Sequence, residues 1–444
     1  MNAVAETLVA PGAYAPELAR ALAAPQPDAV RQLRERAFAR FLERGFPRPQ
    51  EEDWRFTNVA PVARTRFARP AAGFDPAAVA GEIAAARLAG SWAAVFVDGR
   101  FAPGLSGPDA PPPGVAVRDL ARATSGDWRR FEPKLGRRAD FVARPFAALA
   151  TALFEDGAVV EIAPGASVAT PIHLLFWTSA AAEPAAVFPR VLVLAGEDSR
   201  ATVVESYRGE GSYLACPVSE LVAGAGAVLD HYKLQREALG AFHLGLLHVE
   251  AGRGANVSSQ TFSLGAAIAR HDVEAVLAGE GAEVTLNGLY LVRGRQLADF
   301  HMRVDHVRPH TTSHELFKGV LDERSRGVFN GRIHVHPQAQ KTDAKQTSRN
   351  LLLSSEALVN ANPQLEIFAD DVKCTHGSTV GQLDHEAVFY LRSRGIGLEA
   401  ARSLLTYAFA ADVVERTRVE SLRQVLQEYL FAWIPQGDIV REAV

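Results

Sequence analysis

The sequence predicts a mainly β chain in which a solenoid of stacked coils lies between helical regions at both ends. Short strand-like runs bounded by turn residues follow one another from about Leu153: Val159–Ile162, Ile172–Trp177, Val191–Leu194, Thr202–Tyr207, Val228–Leu234 and Phe242–Val249. A glycine-centred corner, Ala-Gly-x-Gly-Ala, recurs at Ala223–Ala227, Ala251–Ala255 and Ala278–Ala282, after a related Ala195-Gly196-Glu197-Asp198-Ser199. Its starts are 28, 28 and 27 residues apart. A fixed-period corner followed by an alternating strand suits a solenoid, because each coil buries its inner face only against its neighbours. A β-sandwich would also supply many short strands, but would not require the same turn at a fixed period.

Taken in order, residues 1–150 read as mostly helical. Between Asp28 and Phe46, the residues Val30, Leu33, Ala37, Phe41 and Leu42 keep helical spacing, with arginines and glutamates on the other face. Glu51-Glu52-Asp53-Trp54-Arg55-Phe56 forms a polar-to-aromatic junction, followed by alanine- and proline-rich linkers up to about Arg144. Residues 151–385 carry the β pattern. Residues 386–444 return to helix: Leu404, Leu405, Ala408 and Phe409 form one stripe. Leu422, Val425, Leu426, Tyr429, Leu430 and Trp433 form another, at i, i+3, i+4, i+7, i+8 and i+11. These helices are expected to pack on each other or on the solenoid end, or to present a docking surface.

Composition bounds the function. The chain has 444 residues, 48% hydrophobic and 22% charged, with a net charge of −4, so neither a nucleic acid nor an anionic membrane is an expected partner. Of 47 basic residues only six are lysine, which reads as genomic composition bias. Two cysteines, Cys216 and Cys374, fit a reducing compartment and exclude a disulfide framework. Met1–Pro11 lacks a basic and then apolar leader, and no run approaches the roughly 18 apolar residues of a membrane span. A cytoplasmic location is expected.

Several chemical signatures are missing. There is no Gly-x-x-x-x-Gly-Lys-Ser/Thr loop, no Cys-x-x-Cys pair and no Gly-x-Ser-x-Gly elbow, so the chain is expected to bind no nucleotide and not to act as an unassisted enzyme. What remains is Asp370-Asp371-Val372-Lys373-Cys374-Thr375-His376-Gly377. On a strand, Cys374 and His376 share a face, because side chains repeat every second residue. A thiolate and an imidazole there make half of a site for a soft metal or an iron–sulfur cluster. A free cysteine is also often only a small buried hydrophobe. Lys373 would lower the thiol pKa if close, although alternation points it to the opposite face.

Histidines concentrate late: eight of 13 follow residue 300, namely His301, His306, His310, His314, His334, His336, His376 and His385. His310 and His314 would share a face only on a helix, which Pro309 and Thr311-Thr312 oppose. His334 and His336 alternate on a strand and share a face. The polar run Gln338–Asn350 reads either as a solvated face or loop, or as a strand lining an interface or hydrated channel.

These same residues carry a resemblance. Asp305-His306, Pro309–Ser313, Arg326–Gly331, Gln340–Ala344, Asn350–Ser354, Asp370–Gly377 and Tyr390–Ile396, taken in order, resemble the SufB/SufD family of iron–sulfur cluster assembly proteins. Cys374–Gly381 is most similar to the SufD branch, and Glu51–Phe56 to the family's helical N-terminal module. The resemblance implies a right-handed parallel β-helix between helical ends. It also implies a non-catalytic scaffold working in the cytoplasm with a SufB-like subunit and a SufC-like ABC-type ATPase. The ATPase is expected on the C-terminal helical region, Leu398–Trp433, and the SufB-like partner at the C-terminal end of the β-helix; a homodimer is possible when the chain is alone. By resemblance His376 is an iron or cluster ligand at the shared interface, with Cys374 beside it, and the cluster is transient. A SufB-like scaffold that itself accepts sulfur is the alternative, with Cys216 as its other available thiol. A secreted polysaccharide-acting solenoid would expect a leader and an outer carboxylate cluster.

Overall fold

Each glycine corner becomes one edge of a coil. The computed structural model describes residues 8–70, 75–107, 110–125, 131, 134–136, 139, 141–179 and 184–444. Residues 1–7, on which part of the leader reading rests, lie outside the described residues. Ala195, Ala223 and Ala251 pair in register on successive parallel strands. Their corners stack by backbone bonds, Gly224 N–H to Ala195 O at 2.8 Å and Gly252 N–H to Ala223 O at 2.9 Å. At the tip of each corner one residue takes a left-handed backbone: Gly226 (φ 64°), Gly254 (φ 62°) and Gly281 (φ 69°), with Asp198 (φ 54°) at the matching place in the related corner. Glycine adopts this conformation freely, and aspartate is among the few other residues that tolerate it.

The corners join two long sheets. One runs Arg100–Phe101, Trp92–Val97, Ile172–Thr178, Arg200–Gly209, Val228–Gln235, Asn256–Ser263, Glu283–Val292, Thr312–Leu321, Asp343–Leu352 and Lys373–Gly381. The other runs from Val115–Asp119 through Gly157–Ile162, Arg190–Ala195, Val218–Ala223, Phe242–Ala251, Ile268–Leu277, Leu297–His306 and Arg326–Val335 to Leu358–Ile367. Pairing is parallel along both, except that Trp92–Val97 meets Arg100–Phe101, and Val115–Asp119 meets Gly157–Ile162, antiparallel. The fold is thus the mainly β solenoid with helices at both ends that the sequence predicts. Three strands before residue 150 already take part in its sheets.

The core has three layers. Inward residues of both sheets, among them Val203, Leu229, Val257, Val284, Phe300 and Phe329, fill the solenoid. Phe38, Phe41, Trp54 and Phe146 of the N-terminal region cover the outer face of the second sheet at Leu192, Leu194, Leu244 and Leu246. The C-terminal helices Leu398–Val414 and Glu420–Trp433 lay Val413, Leu422, Leu426 and Leu430 on the outer face of the first sheet, against Tyr232, Leu234, Phe262, Leu289 and Leu291. They therefore pack on each other and along the flank, not over the solenoid end. The apolar stripe follows the apolar surface, and that surface lies on the flank.

The end itself stays open. Beyond Leu358–Ile367 and Lys373–Gly381 neither sheet has a further strand among the described residues. Of Lys373–Gly381 only Cys374 is even partly buried. Leu358, Ile367, Phe368 and Val380 are exposed around this end. An apolar, unpaired edge of this kind templates further strand pairing unless something covers it.

Candidate functional site: the open end of the solenoid

Cys374 and His376 lie on the terminal strand, in register with Ala344 and Gln346 of the strand below. Both of those residues are buried inside the solenoid, so the shared face of Cys374 and His376 is the inner one. Cys374 packs at the rim of the central core. Burial pushes its thiol up from the usual value of 9.0, the Asp343 carboxylate adds to this, and a backbone hydrogen bond from Ala344 opposes it. His376 is exposed. Lys373 faces the other way, in register with exposed Asp343, and does not activate the thiol. The pair is a half-exposed thiol and an exposed imidazole at an unfinished edge.

Behind His376 the inner positions are polar. Gln346 donates its side-chain N–H to Glu315 Oε2 at 2.9 Å, and Asn350 donates to Ser348 Oγ at 3.2 Å. Glu315 Oε1 and Gln346 Oε1 find no hydrogen-bond partner among the described residues. Burial pushes the Glu315 carboxyl up to about 7, against the lowering effect of the Gln346 bond. The polar run Gln338–Asn350 is therefore a corner followed by a strand with two polar faces. Gln346, Ser348 and Asn350 point inward and are buried, while Asp343, Lys345 and Arg349 point outward.

The other late histidines do not converge on Cys374. His306 is fully buried and bonded to Thr311 Oγ1 at 2.8 Å and Ser313 Oγ at 2.9 Å, and burial pushes it down to about 4. His301 Nε2 lies 3.2 Å from Asp299 Oδ1. His310 occupies a corner tip at φ 58°, and His314 is exposed on a strand, so the two share no site. His385 opens the helix His385–Ser393. His334 and His336 do share a face, with ring centroids 4.3 Å apart, and they converge on Asp305. The spacing made the histidine pair legible. Asp305 was missed because it reaches them across a coil.

Sequence reasoning also passed over a polar network deeper inside. Glu205 accepts hydrogen bonds from Tyr207 (2.5 Å), Ser219 (2.8 Å) and His231 (3.2 Å). Burial would raise its carboxyl, but His231, Lys233 and Tyr207 together hold it down to about 2. The signal available was a charged residue at an inward strand position. On the opposite flank, the helix His385–Ser393 exposes Phe389 and Tyr390. Beside it lies a cavity of about 280 Å³ lined by Leu353, Leu383, His385, Val388, Leu398 and Arg402. No helix among the described residues is long and apolar enough to cross a membrane.

Comparison with known proteins shows the family of the chain. A family model described as "SUF system FeS cluster assembly, SufBD core domain" matches residues 176–409, and one described as "SufBD protein N-terminal region" matches residues 16–174. The chain is 32% identical over 397 residues to an iron–sulfur cluster assembly SufBD family protein of Synechocystis sp., spanning 86% of each chain. It is 31% identical over 404 residues to the iron–sulfur cluster assembly protein SufD of Escherichia coli, spanning 89% of this chain and 91% of that one. To SufD of Bacillus subtilis it is 27% identical over 320 residues, spanning 70% and 72%. The two family models divide almost the whole chain between them, and the chain belongs to the SufBD family of iron–sulfur cluster assembly proteins.

Proposed function

We propose that this chain is a SufD-type, non-catalytic scaffold subunit of a cytoplasmic SufB–SufC–SufD complex, and that iron and sulfide, as cargo, are assembled where its open solenoid end meets a SufB-type partner. The observation that carries the reading is the placement of Cys374 and His376 on the terminal strand, whose outer edge has no partner strand among the described residues, ringed by exposed Leu358, Ile367, Phe368 and Val380. Two ligand-type side chains are too few to hold a cluster, and an edge with free backbone groups is where a partner's strand would complete both the sheet and the ligand set. A shared, incomplete site suits release of the cargo better than a closed four-ligand cage. Alone, the chain would pair through the same end with a second copy.

An ATPase subunit docking on the C-terminal helical region is supported by the exposed Phe389 and Tyr390 of His385–Ser393, just ahead of the expected Leu398–Trp433, and by the adjoining cavity. A pull on this flank reaches the terminal strand through the short segment between Gly381 and His385. The SufB-like reading needs a second usable thiol. Cys216 is fully buried under the N-terminal helices and its thiol is pushed up by burial, which counts against sulfur acceptance there.

The test is co-expression with SufB- and SufC-type subunits, comparing wild type with His376→Ala for iron–sulfur absorbance in the purified complex. Loss of absorbance with the complex intact is expected. An unchanged cluster yield in the variant would remove His376 from the ligand set.

A further inference from the structure

The second sheet brings Asp305, His334 and His336 together on its outer face, beside its last strand Leu358–Ile367. Asp305 and His334 are direct partners in the parallel ladder. Val304 and Ile333 beside them point into the core, so Asp305 and His334 point out. His336 follows two residues later, just past the strand end. Its backbone is fixed there by a 3.0 Å bond from its N–H to His306 O.

We propose that Asp305, His334 and His336 form a binding site for a divalent first-row transition metal ion. His334 Nδ1 lies 3.0 Å and His336 Nε2 3.6 Å from Asp305 Oδ1, and the three donor atoms fall within 4.8 Å of one another. Two imidazoles and one carboxylate leaving open positions suit Fe(II), Co(II) or Zn(II), while the absence of a thiolate disfavours Cu(I) and clusters. Arg303, two residues back on the same strand, bonds Asp305 Oδ2 at 2.7 Å and Oδ1 at 3.0 Å. It orients the carboxylate as an outer partner of a metal ligand does. The Phe368 ring stands edge-on to His334 with centroids 5.5 Å apart and closes one side. The side chains remain 13%, 19% and 32% exposed, so an ion can enter from solvent. His334 Nδ1 and Asp305 Oδ1 lie within hydrogen-bond distance, so the two donor atoms already converge on one point.

The site does not rest on the proposed function, since its donors are neither Cys374 nor His376, and only Phe368 belongs also to the rim of the open end. The experiment is an anaerobic titration of the untagged full chain with Co(II), read by its visible d–d absorbance and competed with Zn(II). Saturable binding of about one equivalent is expected for wild type. The same is expected for a Cys374→Ser/His376→Ala double variant. His334→Gln, which can keep the hydrogen bond to Asp305, and His336→Gln should each weaken binding by roughly 10–100-fold or more. Wild type without a saturable Co(II) spectrum overturns the proposal whatever the variants do. So does binding that survives both glutamine substitutions, or that disappears in the Cys374/His376 variant.

Discussion

Gln346 holds Glu315 by a 2.9 Å hydrogen bond inside the two coils beneath His376, and the carboxyl it holds is one that burial keeps protonated to about pH 7. An unfolded glutamate loses its proton near 4.5. Between those values the native chain binds a proton that the unfolded chain has lost. The stability Glu315 contributes is thus full below about 4.5 and is lost as pH rises through about 7. Glu315→Gln removes the titration at nearly constant shape. Its melting temperature should match wild type near pH 4.5 and exceed it at pH 8, where its stability should be greater by on the order of 1–3 kcal/mol. Parallel pH profiles for the two proteins would contradict the assignment.

Two glycines of one sheet, on strands that flank Asp343–Leu352, should respond differently to alanine. A Cβ at Gly319 would meet Tyr290 Cζ at 2.2 Å, and Tyr290 is fully buried and tied by its hydroxyl to Asn350. Gly319→Ala should cost about 1–3 kcal/mol or more by overpacking. Gly377, beside His376, has nothing within 4 Å of the added carbon, so Gly377→Ala should unfold with wild type. Denaturant melts of both variants decide the point. Equal midpoints would mean that the interior around Tyr290 gives way.

A buried ion pair between two solenoid strands also holds the segment before them by hydrogen bonds. Arg190 Nη2 lies 2.5 Å from Glu220 Oε2, with the side chains 1% and 0% exposed. Glu220 also accepts from Gly136 N–H at 3.0 Å and Ala139 N–H at 3.2 Å, and Arg190 donates to Thr151 Oγ1 at 3.0 Å. Arg190→Met strands a buried carboxylate and should destabilise by about 3–5 kcal/mol, whereas Arg190→Met/Glu220→Gln should recover much of that loss. A thermodynamic cycle from chemical melts measures the coupling. Additive single and double variants would show that the pair is not coupled.

How far these features were legible depends on whether a local pattern or a register decides them. The corners could be read while glycine marked the left-handed tip, at Gly226, Gly254 and Gly281. The same backbone continues at His310 and Lys341 (φ 58° and 62°), where the repeat fades from the sequence but not from the fold. The common face of Cys374 and His376 follows from i, i+2 spacing alone. Their position on the last, uncovered strand does not, because it depends on which strands pair. The Asp305–His334 contact spans 29 residues of chain and exists only through the ladder. The helix stripes were visible, but the flank they cover was fixed by an apolar outer face that alternation alone could not separate from the inner one.

The exposed Phe389 and Tyr390 should matter for association and not for folding. Both rings are largely in solvent, 72% and 57% exposed, on a helix with no buried residue. Phe389→Ala/Tyr390→Ala should leave the unfolding free energy within about 0.5 kcal/mol of wild type, as surface changes do. Capture of a co-expressed SufC-type ATPase should fall by about 10-fold or more if these aromatics anchor the interface. Full capture by the variant would move the docking site elsewhere on the C-terminal flank.

Cys374 should behave as a reluctant nucleophile despite its place at the open end. Its thiol is raised above 9.0 first by burial and then by the Asp343 carboxylate, so little thiolate exists at neutral pH. Iodoacetamide labelling of the isolated chain should be slow at pH 7 and climb only above pH 9. Asp343→Asn removes the charge contribution and should shift the profile to lower pH, while burial keeps it above that of a free thiol. Cys216, fully buried, should label only after unfolding and so reports the integrity of the fold in the same experiment. An ordinary or lowered labelling midpoint for Cys374 would mean that the rim is more open, or more positive, than this geometry allows. The raised thiol also has a consequence for the shared site. A metal ion bound there must displace the proton that the thiol holds, so occupancy of Cys374 should fall as pH is lowered.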